Sequence, residues 1–445
     1  MGKPTNNFWW KLHSWTGLYA GIVIGVVCLT GGVAVFIPEI DRLLRPDLYR
    51  VTVRPSQPGQ LNVAIAQARR QYPGYELLGI DLPDAPGEAL RLDLFKKVKK
   101  QTDSDRQRVF INPHTGEVIG TRDEMNSLAN YLRQIHVRLY DGLYGRQIVG
   151  LAGIALFLSA LSGLVIYGNF MKRKGFTEVR RGRGLRIWMA DWHKLVGISA
   201  LAFNLMIAGT GAWLGLQPKL MSWFSMNVPN AYKTEKRLSS DADRLVPFDL
   251  EKTLAATRRH FPDLRPAVLR PSSEGQGVIE IYGDVPTGVY ERHINKLVLD
   301  KTDYRPLFKY DVRGQNGWHK LYFVQEGLHF GQFGGMTLKW LYLALGLTAS
   351  FLSVSGFVIY LQRKAPKGLA RPEAESAVKK KVFAYGMASL GVLFLIGFCS
   401  LTLGYVPTAQ VVTASVYVGL AAWLIWEVAR YVRRRRKPKK QPAYV

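Results

Sequence analysis

The chain has 445 residues, 48% of them hydrophobic, with 60 Lys and Arg against 33 Asp and Glu and a formal net charge of +27. That length would fill two or three soluble domains, but the apolar residues are gathered into long runs, which excludes a purely soluble protein. The basic excess sits in short segments between those runs, so the charge reads as a topology signal and not as a nucleic-acid surface.

A spanning helix needs about 20 mostly apolar residues. In chain order, residues 1–37 read as a cytoplasmic N-terminus and a first span, with its apolar run at Leu18–Ile37. Residues 38–130 form an outside domain with a helix at 61–74 and strands at 90–95 and 108–120, and the turn signals Asn112-Pro113 and Thr115-Gly116 divide the last of these. Residues 131–170 hold a second span (Ile148–Tyr167), 171–190 a cytoplasmic loop and 191–216 a third span, whose apolar run is Leu195–Leu216. A second outside domain follows at 217–327, with a helix at 250–263 and strands at 278–283 and 294–300. The fourth span lies in 328–361 (Leu338–Tyr360), a cytoplasmic loop in 362–381, and a hairpin of two further spans in 382–430 (Val382–Leu403 and Val411–Trp426). Residues 431–445 form a basic tail suited to anionic lipid.

Charge sets the orientation. Segment 171–190 holds seven Lys/Arg and one acid, 361–381 seven against two, and the tail from Arg430 eight against none. The long segments 38–146 and 217–337 are nearly balanced, each with seventeen basic and fourteen acidic residues. By the positive-inside pattern both termini are cytoplasmic and the two long segments are periplasmic. No cleavable signal peptide is apparent, and Cys28 and Cys399 lie inside apolar runs, so no disulfide framework is expected.

The chain repeats itself. Residues 135–167 align without a gap to 328–360 at an offset of 193, matching His136 to His329, Gly142 to Gly335, Gly153 to Gly346 and Ser162-Gly163 to Ser355-Gly356. The first and third spans align at an offset of 180, matching His13 to His193, Gly17 to Gly197 and Thr30-Gly31 to Thr210-Gly211. Each unit has two spans, so these are parallel repeats about an axis along the membrane normal.

Ionisable residues near spans are costly and point to function. The repeat puts His13 and His193 at one membrane face and His136 and His329 at the other, each pair across a common axis. Facing imidazoles in a helix bundle suit axial ligation of haem iron, and two axial histidines favour electron transfer over oxygen chemistry. Gly17, Gly142, Gly153, Gly197, Gly335 and Gly346 would let a macrocycle or a neighbouring backbone approach. The plainer reading, interfacial anchoring by imidazole, stays open, whereas structural zinc wants four ligands together. His319, in a WHKL segment that echoes 192–195, is a candidate for a substitute ligand or a substrate-site residue; His114, His260 and His293 read as surface residues. A continuous helix from His136 to Tyr167 would run about 46 Å, more than the core of about 30 Å, unless Asp141-Gly142 bends the chain. Phosphate-binding and dinucleotide fingerprints and a catalytic Ser/His/Asp or Cys arrangement are absent from the sequence.

The segments LHSWTGL at 12–18, IHVRLYDGLYGR at 135–146, DWHKLVGI at 191–198 and LHFGQFGG at 328–335, with YPG and NPHTGEVIG in the first outside loop, resemble the PepSY-associated transmembrane proteins. The resemblance covers about residues 8–365. It implies an α-helical polytopic membrane protein with two small α+β PepSY-like periplasmic domains, built as a helix–domain–helix repeat with two extra C-terminal helices. It also implies an iron-regulated inner-membrane protein, some relatives being haem-containing reductases of ferric siderophores. Carried over, the haem-ligand role falls on His13, His193, His136 and His329. The expectation is then two b-type haems, a ferric siderophore or chelate as periplasmic partner, and a quinol or reductase as electron donor. Its rival is a non-enzymatic membrane protein that binds or regulates a periplasmic partner such as a peptidase.

Overall fold

A computed structural model describes residues 5–53, 60–96, 106–124, 127–140, 142–167, 177–232, 248–271, 277–286, 288–290 and 292–363, together with Ser376 and Lys380. The expected fifth and sixth spans, the basic tail and most of the cytoplasmic loop at 362–381 lie outside the described residues.

Among the described residues, two helices are long and apolar enough to cross a membrane unbroken: α7 (Gly142–Tyr167) and the last described helix, Gly335–Arg363. The first and third expected spans are each broken. Helix α1 (Thr5–Tyr19) meets α2 (Gly21–Ala34) at 63°, and α8 (Leu185–Ser199) meets α9 (Leu201–Trp223) at 70°. The breaks fall at Ala20 and Ala200, which match at the repeat offset of 180. A hydropathy run registers apolarity and is blind to a change of direction, so this bend was not legible in the composition.

The breaks interlock the two repeats. The inner halves stay with their own repeat: α1 packs on α7, and α8 on Gly335–Arg363. The outer halves cross over, α2 packing on Gly335–Arg363 and α9 on α7. Small residues allow the close approach. A Cβ on Gly150 would sit 3.0 Å from the Leu216 nitrogen, and one on Gly346 would sit 3.4 Å from the Gly32 Cα. Pro218 interrupts α9 and leaves the Leu214 carbonyl without its helical donor. Arg146 takes that place, donating from Nε (3.0 Å) and Nη2 (2.7 Å).

Outside the spans, α3 (Ile37–Leu44) and α4 (Pro46–Tyr49) lead into the first loop. It forms α5 (Gln60–Gln71), β1 (Tyr75–Asp81), β2 (Leu90–Lys96), β3 (Arg106–Ile111) and β4 (Val118–Asp123). Then α6 (Leu128–Arg138) returns to the bundle. The second loop repeats the plan with α10 (Leu250–His260), β5 (Arg265–Pro271), β6 (Val278–Asp284), β7 (Asn295–Asp300), β8 (Pro306–Tyr310) and α11 (Gly317–Phe330), before α12 (Gly335–Arg363). The expected helices and strands are present, with β1, β5 and β8 added. The expectation of two separate α+β domains needs a correction. Their strands form one antiparallel eight-stranded sheet in the order β4-β3-β2-β1-β5-β6-β7-β8.

The join is between equivalent strands, with Ile80 opposite Leu269 and Asp81 opposite Val268. Pairing β1 with β5 removes two open edges that would otherwise expose backbone donors and acceptors. One core then runs through both halves: Ile80, Leu92 and Ile111 are buried with Leu269, Ile281 and Leu297. Helices α5 and α10 cover it, tied where Asn62 Nδ2 donates to Asp249 and Asn62 Oδ1 accepts from the Leu250 amide.

The sheet is anchored to the bundle. Arg122 of β4 pairs with Asp41 of α3 at 2.6 Å, and the Tyr49 hydroxyl donates to the same carboxylate. Lys339 of α12 pairs with Glu39 of α3 at 2.6 Å. Tyr322 and Phe323 of α11 belong to the sheet core, so the helix carrying His329 is held at both ends.

Candidate cofactor site

The four repeat-matched histidines meet as two facing pairs. His13 of α1 and His193 of α8 have ring centres 6.1 Å apart, nearly perpendicular at 88°. His136 of α6 and His329 of α11 also stand 6.1 Å apart, with ring planes 28° from parallel. The first pair is at the inner end of the bundle and the second nearer the sheet.

Each ring is fixed through Nδ1. His13 Nδ1 donates to the Ser159 carbonyl at 2.9 Å, and His136 Nδ1 to the Val27 carbonyl at 2.9 Å. A carbonyl oxygen only accepts, so the proton of each neutral ring is on Nδ1. His193 Nδ1 meets Ser355 Oγ at 2.8 Å, and His329 Nδ1 meets Thr210 Oγ1 at 3.0 Å. Those hydroxyls give their own protons to helix carbonyls, Ser355 to Leu352 and Thr210 to Met206. They therefore accept from Nδ1–H as well. All four rings share one tautomer and present an unprotonated Nε2, the form that binds a metal.

A glycine beside each ring makes the approach possible. A Cβ on Gly31 would lie 2.5 Å from His136 Cε1, on Gly211 3.1 Å from His329 Cε1, on Gly163 3.2 Å from His13 Cε1 and on Gly356 3.5 Å from His193 Cε1. Each glycine follows a hydroxyl residue: Thr30, Thr210, Ser162 or Ser355. These Ser/Thr-Gly steps were visible as repeat matches. Their role was not, because each contacts a histidine more than a hundred positions away.

Of the glycines expected to admit a macrocycle or a neighbouring backbone, two admit a backbone and none abuts a histidine ring. Gly17, Gly142 and Gly335 have nothing within 4 Å of a built Cβ, and Gly197 meets only Leu352. Gly153 and Gly346 serve helix packing, against α9 and α2. Sequence neighbourhood pointed at glycines next to each histidine, whereas the contacting glycine belongs to the facing helix.

The separation of the pairs follows from the same contacts. Gly153 abuts Ala208 and Ala212, so it is level with Thr210, while His13 meets α7 six to nine residues further on, at Ser159 and Ser162. On α12, Gly346 abuts Cys28 and Gly32, level with Thr30, and Ser355 is nine residues further on. At 1.5 Å per residue the pairs are about 9 to 14 Å apart along the bundle.

The helix from His136 to Tyr167 is thus not continuous. It breaks after Arg138, where Leu139 (φ 45°), Tyr140 (φ 61°) and Gly142 (φ 49°) take left-handed backbone and fold α6 back onto α2. Gly331 and Gly335, both at φ 61°, make the equivalent turn before α12. His319 is not with the other four. It begins α11, about 15 Å along the helix from His329, and there its Nδ1 meets Gln315 at 3.1 Å and its ring stacks on Tyr310. Among the described residues no group of three or more His, Cys, Asp or Glu could hold a bare metal ion.

Between the outer pair and the sheet lies a polar network. Gln217 donates to the Tyr322 hydroxyl (2.7 Å) and to Glu326 (3.2 Å), and accepts from Arg146 (3.2 Å). Beside the inner pair, the buried Asp191 accepts from Arg180 through its backbone amide (3.1 Å) and guanidinium (2.9 Å). This fixes the turn two residues before His193.

The chain is 28% identical over 336 residues to the uncharacterised protein PA4219 of Pseudomonas aeruginosa, an alignment covering 67% of this chain and 81% of that one. The model of the PepSY-associated transmembrane region matches residues 10–363, which takes in all four histidines, both bent helix pairs and the whole sheet. The chain is a membrane protein and belongs to the family defined by this PepSY-associated transmembrane region.

Proposed function

We propose that the protein is a dihaem electron-transfer protein of the bacterial inner membrane that reduces a ferric siderophore or chelate on the outer side. The observation that carries this reading is the pair of facing imidazoles, made twice, with every Nδ1 committed and every Nε2 without a partner among the described residues. Two metal–imidazole bonds of about 2 Å each, plus roughly 1 Å from each ring centre to Nε2, span about 6 Å. That matches the 6.1 Å found in both pairs. The set of ligands also suits haem better than a bare ion, because two imidazoles complete an iron that already has four nitrogens.

His13 and His193 would hold the inner haem, and His136 and His329 the outer one. Bound there, haem supplies a reversible one-electron couple with no open coordination position, which favours electron transfer over oxygen binding. The chain's own residues do the rest. Ser159, Val27, Ser355 and Thr210 hold the tautomer and raise the basicity of each Nε2. Gly31, Gly163, Gly211 and Gly356 leave room for the rings. The bends at Ala20 and Ala200 bring α1 to α8, and the turns after Arg138 and at Gly331 bring the outer rings down to within about 9 to 14 Å of the inner ones. An electron entering at the cytoplasmic side, from a quinol or a reductase, then needs no third centre. The positive-inside charge pattern puts the sheet in the periplasm, and a ferric chelate reduced there would hold its iron less firmly.

In liposomes with a reductant enclosed, external ferric chelate should be reduced by the wild-type protein and not by His193→Ala. Equal rates from both proteins would remove the reading. A colourless protein from haem-replete cells would favour a partner-binding role instead.

A further inference from the structure

A cavity of about 330 Å³ lies where the second half of the sheet meets α11. Its lining includes Tyr322, Phe323 and Glu326 of α11 together with Arg270, Arg292 and Tyr282. Glu326 is one helical turn before His329, so this part of the lining begins about 5 Å along α11 from the outer pair. Trp213 stands edge-on to Tyr322, ring centres 6.3 Å apart, and is three residues past Thr210, the partner of His329. The cavity is therefore the hollow that the outer pair's own helix helps to line.

Its charge is basic. The one carboxylate, Glu326, accepts from Gln217. Arg292 is held by Asp84 at 3.1 Å and Asp284 at 3.8 Å. Arg270 is exposed, stands opposite Glu280 in the β5–β6 register, lies over the Tyr282 ring at 5.1 Å and hydrogen-bonds its hydroxyl, and forms no ion pair among the described residues, which leaves most of its five donors available. A guanidinium with free donors is suited to bidentate capture of a carboxylate. The volume equals that of about ten waters. That is room for a small chelate.

We infer that this cavity binds a small anionic chelate, an oxygen-donor ligand with free carboxylates, and that Arg270 is its principal anion contact. The role of that ligand as electron acceptor rests on the dihaem reading above; the site itself does not.

The test uses the full chain in detergent and gallium(III) citrate, which carries the charge of its ferric counterpart and accepts no electron. Calorimetry should show saturable binding that weakens about tenfold or more in Arg270→Glu, less in Arg270→Gln, and with rising salt. Haem content and spectrum should be the same in all three proteins. Binding indifferent to Arg270→Glu, or a neutral gallium tris-hydroxamate bound as tightly as the citrate complex, would overturn the site. Haem-free protein that still binds gallium citrate through Arg270 would support the site and overturn only the dihaem reading. Fully haem-loaded protein with no gallium citrate binding would do the opposite.

Discussion

The inner and outer histidine pairs are built from the same parts and carried in different ways. His13 and His193 sit on the inner arms of broken spans, and helix packing inside the bundle sets their positions. His136 and His329 sit on α6 and α11, short helices turned back by left-handed residues at Leu139, Tyr140 and Gly331. The inner rings are anchored alike by repeat-matched groups, His13 by the Ser159 carbonyl and Ser162 hydroxyl and His193 by the Leu352 carbonyl and Ser355 hydroxyl. The outer rings differ from each other, His136 using the Val27 carbonyl and His329 the Thr210 hydroxyl. The faces also differ in ring angle, 88° against 28°, and in clearance at the flanking glycine.

The largest expected effect comes from removing a ring. His193→Ala should abolish the inner haem and keep the outer, and His329→Ala should do the reverse, read as haem per chain and as the reduced-minus-oxidised spectrum. Loss of both haems from either change, or retention of both, would break the division into two sites.

Glycine substitution separates the faces next. Gly31→Ala drives a methyl to 2.5 Å from His136, closer than atoms tolerate, so the ring must move and the outer site should lose most of its haem. Gly356→Ala places its methyl 3.5 Å from His193, an ordinary contact, and the inner site should survive. Equal haem content in the two variants would show that ring clearance does not distinguish the pairs.

Smaller effects are expected from the hydroxyls. Thr210→Val and Ser355→Ala remove the acceptor for Nδ1–H, and each should weaken haem binding at its own site about tenfold, the lower end of what such partners contribute. Titration of haem into the apoprotein measures this. No change in either variant would mean that the hydroxyls only cap their helices. The least perturbing comparison needs no mutation. Near-perpendicular and near-parallel ligand planes give distinct low-spin ferric EPR signals, so the wild-type protein should show two, and the strongly anisotropic one should vanish in His193→Ala.

Much of this was legible in the sequence. Apolar runs located the two unbroken spans, and the repeat offsets of 193 and 180 relate the same histidines whose rings stand together. Turn residues such as Asn112-Pro113 divided β3 from β4. The rest depended on contacts between distant positions. A bend at Ala20 leaves no mark on hydropathy, because no proline or charge causes it. The β1–β5 join depends on two short registers whose members are 187 to 189 positions apart, and neither strand alternates strongly enough to announce it. The glycines next to the histidines in sequence admit a neighbouring backbone or leave open space, and those that abut the rings lie on other helices.

Haem stoichiometry tests the central claim most directly. A pyridine haemochrome assay on the purified full chain, referenced to protein by amino-acid analysis, should give two non-covalent b-type haems per chain. One haem, none, or a covalently attached c-type signature would contradict the account.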